Sequence, residues 1–200
     1  VHHTNEIAQS EAATGKPLAN SWMHTNHILI EDEKISKSLG NGITLEDIEA
    51  KGYSLQAFRL HVLESHYRSQ SKFSWDSLEA AQNRLNNWRE AMALRWQPNV
   101  LSGKEEINAA TFEEKLTECL SQDLNTVNAL QLIDEFANAA LNSSVCAPCL
   151  ESICGIVNDT LGIELNVDDL TDAQKQIISA RETARENKDW AESDRLRDQL

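Results

Sequence analysis

"LEAAQNRLNNWREAM", Leu78 to Met92, decides how this chain is read. Leu78, Ala81, Leu85, Trp88 and Met92 recur in steps of 3, 4, 3 and 4. That spacing puts five large or small apolar side chains on one face of an α-helix. Read as core packing rather than as a ligand box, the stripe predicts a long amphipathic helix that needs partner helices. Other stretches supply them. Helical spacing or capping signals predict further helices near 111–121, 125–142, 148–160 and 171–199. "SLQAFRLHVLESHYR" carries Leu55, Phe58, Val62 and Tyr67 near helical spacing, and "TLED" at Thr44–Asp47 resembles a capping box. Only 7 Gly and 3 Pro interrupt the 200 residues, which favours long helices.

The chain's first part reads differently. "HTNEIAQSEAATG" predicts a short helix ending at Gly15, with Pro17 beyond it. "NHILIE", Asn26 to Glu31, is short, apolar and rich in β-branched residues, and reads as a strand. One strand cannot make a stable sheet, so partner strands are expected upstream of Val1. The fold expected is therefore mainly α: a helical bundle preceded by the end of an α/β domain. Residues 1–48 are expected to close that domain, 49–97 to supply connecting helices, and 98–200 to form the bundle. "QPNVLSGKEE", Gln97 to Glu106, is the best linker. The start at Val1-His2-His3 is neither an initiator methionine nor a signal peptide, so the chain reads as cut from a longer protein.

Charge is uneven. The net charge is −14. Residues 1–72 hold 7 Lys+Arg against 9 Asp+Glu, and residues 73–200 hold 11 against 23. All six histidines lie in the first 66 residues. An acidic second part argues against broad nucleic-acid binding there, while leaving room for a narrow basic contact. Arg181, Arg185, Lys188, Arg195 and Arg197 interleave with six acids, a pattern that suits intrahelical ion pairs. No run of 18 apolar residues occurs, so no membrane helix is expected. The four cysteines, 119, 146, 149 and 154, read as reduced, largely structural thiols.

Two constellations carry chemistry. "EDEKISKSLGN", Glu31 to Asn41, places Lys34 and Lys37 three residues apart among Ser36 and Ser38, with Gly40 to relax the turn. Such a loop suits a polyphosphate, since a lysine is a point charge that can follow developing phosphate charge. A solvated surface loop is the plainer reading. His2 and Glu6 stand at i and i+4 on one helix face. They can share a zinc ion or make an ordinary helical hydrogen bond, and two ligands alone do not close a tetrahedral site.

Together these stretches resemble one family. "KISKSLGN" looks like the KMSKS signature of class I aminoacyl-tRNA synthetases, with Ile35 in place of methionine. "HHTNEIAQSEAATGKPLANSWMH" is similar to the segment that precedes that signature in cysteinyl-tRNA synthetases, with Thr4 departing from the usual HHENE. "DLNTVNAL", Asp123 to Leu130, resembles the family's helical-domain motif, with Val127 where proline is usual. "ARETARENKDWAESDRLRDQL" resembles its C-terminal helical pair. The resemblance implies a class I, Rossmann-like α/β catalytic domain whose C-terminal remnant is residues 1–48, and a tRNA-binding type of bundle after it. It implies a cysteine–tRNA ligase: cysteine, ATP (with magnesium) and the tRNA for cysteine as partners, acting in the cytoplasm as a monomer. It implies that Lys34 and Lys37 contact ATP phosphates, that His2 and Glu6 are two of four zinc ligands, and that His24 lies near the adenylate. In the family two cysteines complete the zinc site, none of Cys119, Cys146, Cys149 or Cys154 maps to them, and the zinc selects the substrate thiolate over a hydroxyl. The family's HIGH signature is absent, so this chain alone is expected to be inactive. A related cysteine–amino-sugar ligase and a non-catalytic helical interaction module remain open alternatives.

Overall fold

The structure is a computed structural model and describes residues 2–30, 33–34, 42–96, 108–142 and 147–199. Helix α1 (His2–Thr14) ends where Gly15 takes φ +66° and its N–H closes on the Glu11 carbonyl at 2.8 Å. Three short strands follow: β1 (Ile28–Ile30), β2 (Glu33–Lys34) and β3 (Ser71–Phe73). They form one sheet in the order β2-β1-β3. β1 runs antiparallel to β2, with Leu29 opposite Lys34, and parallel to β3, with Ile28 opposite Ser71. The expected strand is therefore present but trimmed, and partners for it lie inside the chain rather than only upstream. β3 escaped the sequence reading because three residues between two helices are too short to show a period of two.

Helices then dominate. α2 (Leu45–Ala50) opens on the expected capping box: Thr44 accepts from Asp47 N–H, and the Asp47 side chain accepts from Thr44 N–H. α3 (Leu55–Leu63) is shorter than its apolar spacing suggested. It buries Ala57, Leu60 and His61, whereas Leu55 and Val62 face solvent beside an open apolar groove shared with Leu45, Phe58, Arg59 and Leu63. α4 (Trp75–Ala93) starts at a second capping box, Ser74 with Ser77. All five stripe residues from Leu78 to Met92 are buried, as the periodicity requires.

α4 packs against α3, α6 (Thr126–Asn142) and α7 (Ala147–Leu161), and α5 (Ala109–Ser121) packs on α6 and α7. Phe112 and Phe136 meet with ring centroids 5.5 Å apart in this core. The chain after α7 is tied down by donors from α3 and from the region of α4. Arg59 Nε donates to the Leu161 carbonyl at 2.6 Å, Arg89 to that of Glu164, and Arg95 and Trp96 to that of Val167. Ile163 and Leu165 are buried beneath them.

The helix expected over 171–199 is broken into α8 (Asp172–Glu186) and α9 (Trp190–Arg197). Lys188 turns to φ +59° and Asp189 caps Glu192, so the Asn187–Asp189 segment is a corner and not a helical turn. The two helices pack mainly on each other and bury Ala184, Ser193 and Leu196. Three ion pairs of the predicted local kind form here, Arg195 with Glu192 and Arg197 with Asp194 and Asp198. Cys119 and Cys154 are free thiols, and burial pushes the Cys154 thiol up, so it stays protonated at neutral pH. Cys149 departs from the reduced-thiol expectation, being disulfide-bonded.

Candidate functional site

The site starts from α1. His2 and Glu6 are both exposed on its surface, one turn apart. Among the described residues neither side chain has a hydrogen bond or ion pair, so the ordinary helical bond between them is not made. Their imidazole nitrogen and carboxylate oxygen are borderline and hard donors of the type zinc accepts, and both are free. No group of three or more His, Cys, Asp and Glu side chains that could hold a metal forms among the described residues. The pair thus fits half of a tetrahedral site.

His3, one residue along, does different work. Its ring stacks on His24 at 4.8 Å and lies 5.5 Å from Trp22, with Trp22 and His24 themselves nearly parallel at 6.3 Å. This aromatic stack clips the start of α1 to the "WMH" segment. It brings His24 to the helix end that carries His2 and Glu6. Trp22 and Met23 stay substantially exposed.

Of the two candidate lysines, Lys34 lies in the sheet. Lys34 is the last residue of β2, its backbone opposite Leu29 of β1. Lys37 lies outside the described residues. The root of β1 is fixed two residues earlier: Asn26 N–H donates to the Tyr67 carbonyl at 2.8 Å and Asn26 Nδ2 to that of Arg68 at 3.1 Å.

That same His66–Arg68 turn reaches across to the bundle, a feature the sequence reading missed. Tyr67 O–H donates to Asp123 Oδ1 at 2.6 Å, Arg68 Nη2 to the same oxygen at 3.0 Å, and Arg68 Nε lies 2.9 Å from Oδ2. His66 Nε2 donates to the Asp123 carbonyl at 2.9 Å. The Tyr67 hydroxyl, ahead of the Arg68 guanidinium and outweighing partial desolvation, holds the Asp123 carboxyl below its ordinary value. No local signal announces this cluster, because its halves stand more than 50 residues apart.

Comparison with known proteins addresses both ends of the chain. The family model described as "tRNA synthetases class I (C) catalytic domain" matches residues 1–83, and that described as "Cysteinyl-tRNA ligase anticodon binding domain" matches residues 167–200. The whole chain aligns with curated relatives named cysteine–tRNA ligase. It is 38% identical to that of Pseudomonas fluorescens (strain Pf0-1) over 220 residues, covering 100% of this chain and 45% of the relative. Along its whole length this chain is similar to part of the cysteinyl-tRNA synthetases. It is 32% identical to the cysteine–tRNA ligase of Chlamydia felis, and 33% to that of Rippkaea orientalis, covering 44% and 46% of those relatives. It therefore spans a little under half the length of the cysteine–tRNA ligases it matches. The catalytic-domain match holds α1, the aromatic stack, the three strands and the start of α4. The anticodon-domain match holds α8 and α9.

Proposed function

We propose that this chain supplies the lysine-loop part and the helical part of a cysteine–tRNA ligase. The observation that carries the reading is the order of the two family matches, catalytic first and anticodon-binding last, on one chain that aligns throughout with such ligases. The reaction would join cysteine to its tRNA in two steps. The cysteine carboxylate attacks the α-phosphorus of ATP, pyrophosphate leaves, and the adenylate then passes its cysteinyl group to a tRNA hydroxyl with release of AMP.

In this reading residues 1–48 end the catalytic domain, 49–97 connect, and 98–200 form a tRNA-binding bundle. Lys34 and Lys37 would meet the ATP phosphates, with magnesium, and offset the charge that moves onto pyrophosphate. His2 and Glu6 would hold zinc together with two donors outside this chain. A bound zinc would supply a soft site for the substrate thiolate. The chain's own part is to keep both ligands unpartnered on one face of α1, with His24 held at the same end by the ring stack. tRNA would follow a narrow track along the bundle, since Arg195 and Arg197 are occupied by neighbouring acids. No described helix is long and apolar enough to cross a membrane. A monomer in the cytoplasm is the setting proposed.

The test is aminoacylation by the longer protein carrying this sequence. It is expected to charge the tRNA for cysteine and to leave an amino-sugar acceptor unmodified. Ligation of cysteine to the sugar amine without tRNA charging would overturn the reading. This chain alone is expected to give no cysteine-dependent exchange of pyrophosphate into ATP.

A further inference from the structure

The Asp123 cluster has features that a surface ion pair does not require. Asp123 and Leu124 are consecutive non-glycine residues at φ +57° and +53°. Aspartate tolerates the left-handed region, but leucine seldom enters it, and neighbouring structure must hold it there. The turn they form joins α5 to α6, so it belongs to the bundle. The turn that grips it, His66–Arg68, belongs to the chain entering β3 and holds Asn26 at the root of β1 through two backbone carbonyls. A continuous set of hydrogen bonds thus runs from the bundle, through Asp123 and Tyr67, to the strand paired with Lys34. Asp123 and Arg68 are both substantially exposed, and such a pair contributes little to global stability. Its geometric effect is larger, because four contacts converge on one residue from a single turn.

We propose that Asp123 is a positioning residue for adenylate formation: it clasps the His66–Arg68 turn, and so sets the height of the β1–β2 strands, which end at Lys34, relative to the helical bundle. This rests on the proposed role of Lys37. It adds a physical link by which the tRNA-side bundle and the nucleotide-side loop sense each other.

The experiment uses the longer protein with D123G, D123N, K37A and the double variant D123G/K37A. Glycine removes the carboxylate while relaxing the left-handed backbone, so lost contact is separated from added strain. Hydrogen exchange is read first. In D123G the amides of Ile28–Ile30 are expected to exchange about tenfold faster, with the α4 amides unchanged. Unchanged exchange at β1 would overturn the clasp. Adenylate formation is read second. D123G is expected to lower kcat about tenfold with the KM for cysteine unchanged, and D123N to recover part of it. Combined with K37A, D123G is expected to cause no further fall, whereas independent, multiplying losses would overturn the link to the loop. If K37A alone leaves the rate unchanged, it is the lysine-loop reading that fails, and the exchange result still decides the clasp.

Discussion

Asp134 ties three helices of the bundle, and replacing it by alanine tests how. Its Oδ1 accepts the Trp88 indole N–H at 2.7 Å and Arg84 Nε at 3.0 Å, and its Oδ2 accepts Arg84 Nη2 at 2.6 Å. Arg84 also donates to Glu64, just past α3, at 2.9 Å. Trp88 is 1% exposed, so without Asp134 its N–H is buried and unpaired. An orphaned buried donor costs about 1–3 kcal/mol. The Arg84 side chain is 24% exposed and keeps Glu64, so its loss is screened and adds about 1 kcal/mol. Asp134→Ala should therefore destabilise by about 3 kcal/mol in urea titrations followed by tryptophan fluorescence. For a domain of this size Tm should fall by about 6–12 °C. Asp134→Asn keeps an acceptor for Trp88 and should lose about 1 kcal/mol. Equal losses for the two variants would refute the claim that the indole N–H is the dominant partner. A loss for Asp134→Ala below about 1 kcal/mol would refute the orphaned-donor reasoning altogether.

Further predictions follow from single contacts. Gly162 sits at φ +64° and a Cβ there would lie 2.7 Å from Arg59 Nη2, so Gly162→Ala must strain the backbone and push Arg59 off the Leu161 carbonyl. A loss of about 2 kcal/mol by thermal melting is expected, and an unchanged melt would contradict it. For pH, burial pushes the Glu64 carboxyl up, but His61 at 3.7 Å and the Arg84 guanidinium outweigh it and hold it below its ordinary value of 4.5. A folded-state value below the unfolded one gives stability that is present above 4.5 and is lost as pH falls through the folded value. Glu64→Gln should flatten that acid limb, and an identical limb in the variant would show that other groups control it.

The helical architecture was legible because burial repeats along a helix. Every member of the Leu78–Met92 stripe is in the core, and the Thr44 capping box forms as written. What escaped was non-local or short. β3 is three residues paired with a strand 43 positions away, and nothing in "SKF" announces it. Val62 fits an apolar row with Leu55 and Phe58 yet faces solvent, because α3 turns a different row, Ala57, Leu60 and His61, into the core. The corner at Lys188 lacks glycine, the usual mark of a left-handed turn. At the site, the i, i+4 spacing placed His2 and Glu6 on one face, as helical geometry requires. The stack of His3, Trp22 and His24 and the grip on Asp123 depend on tertiary folding, which spacing along the chain does not encode.

The proposed adenylate chemistry rests most directly on Lys34 and Lys37. The decisive measurement is cysteine-dependent exchange of pyrophosphate into ATP by the longer protein, wild type against Lys37→Ala. Removing a charge that stabilises the transferring phosphates should lower the exchange rate by about a hundredfold or more, with zinc content unchanged. Wild-type exchange in Lys37→Ala, or none with cysteine in the wild type, would contradict the account.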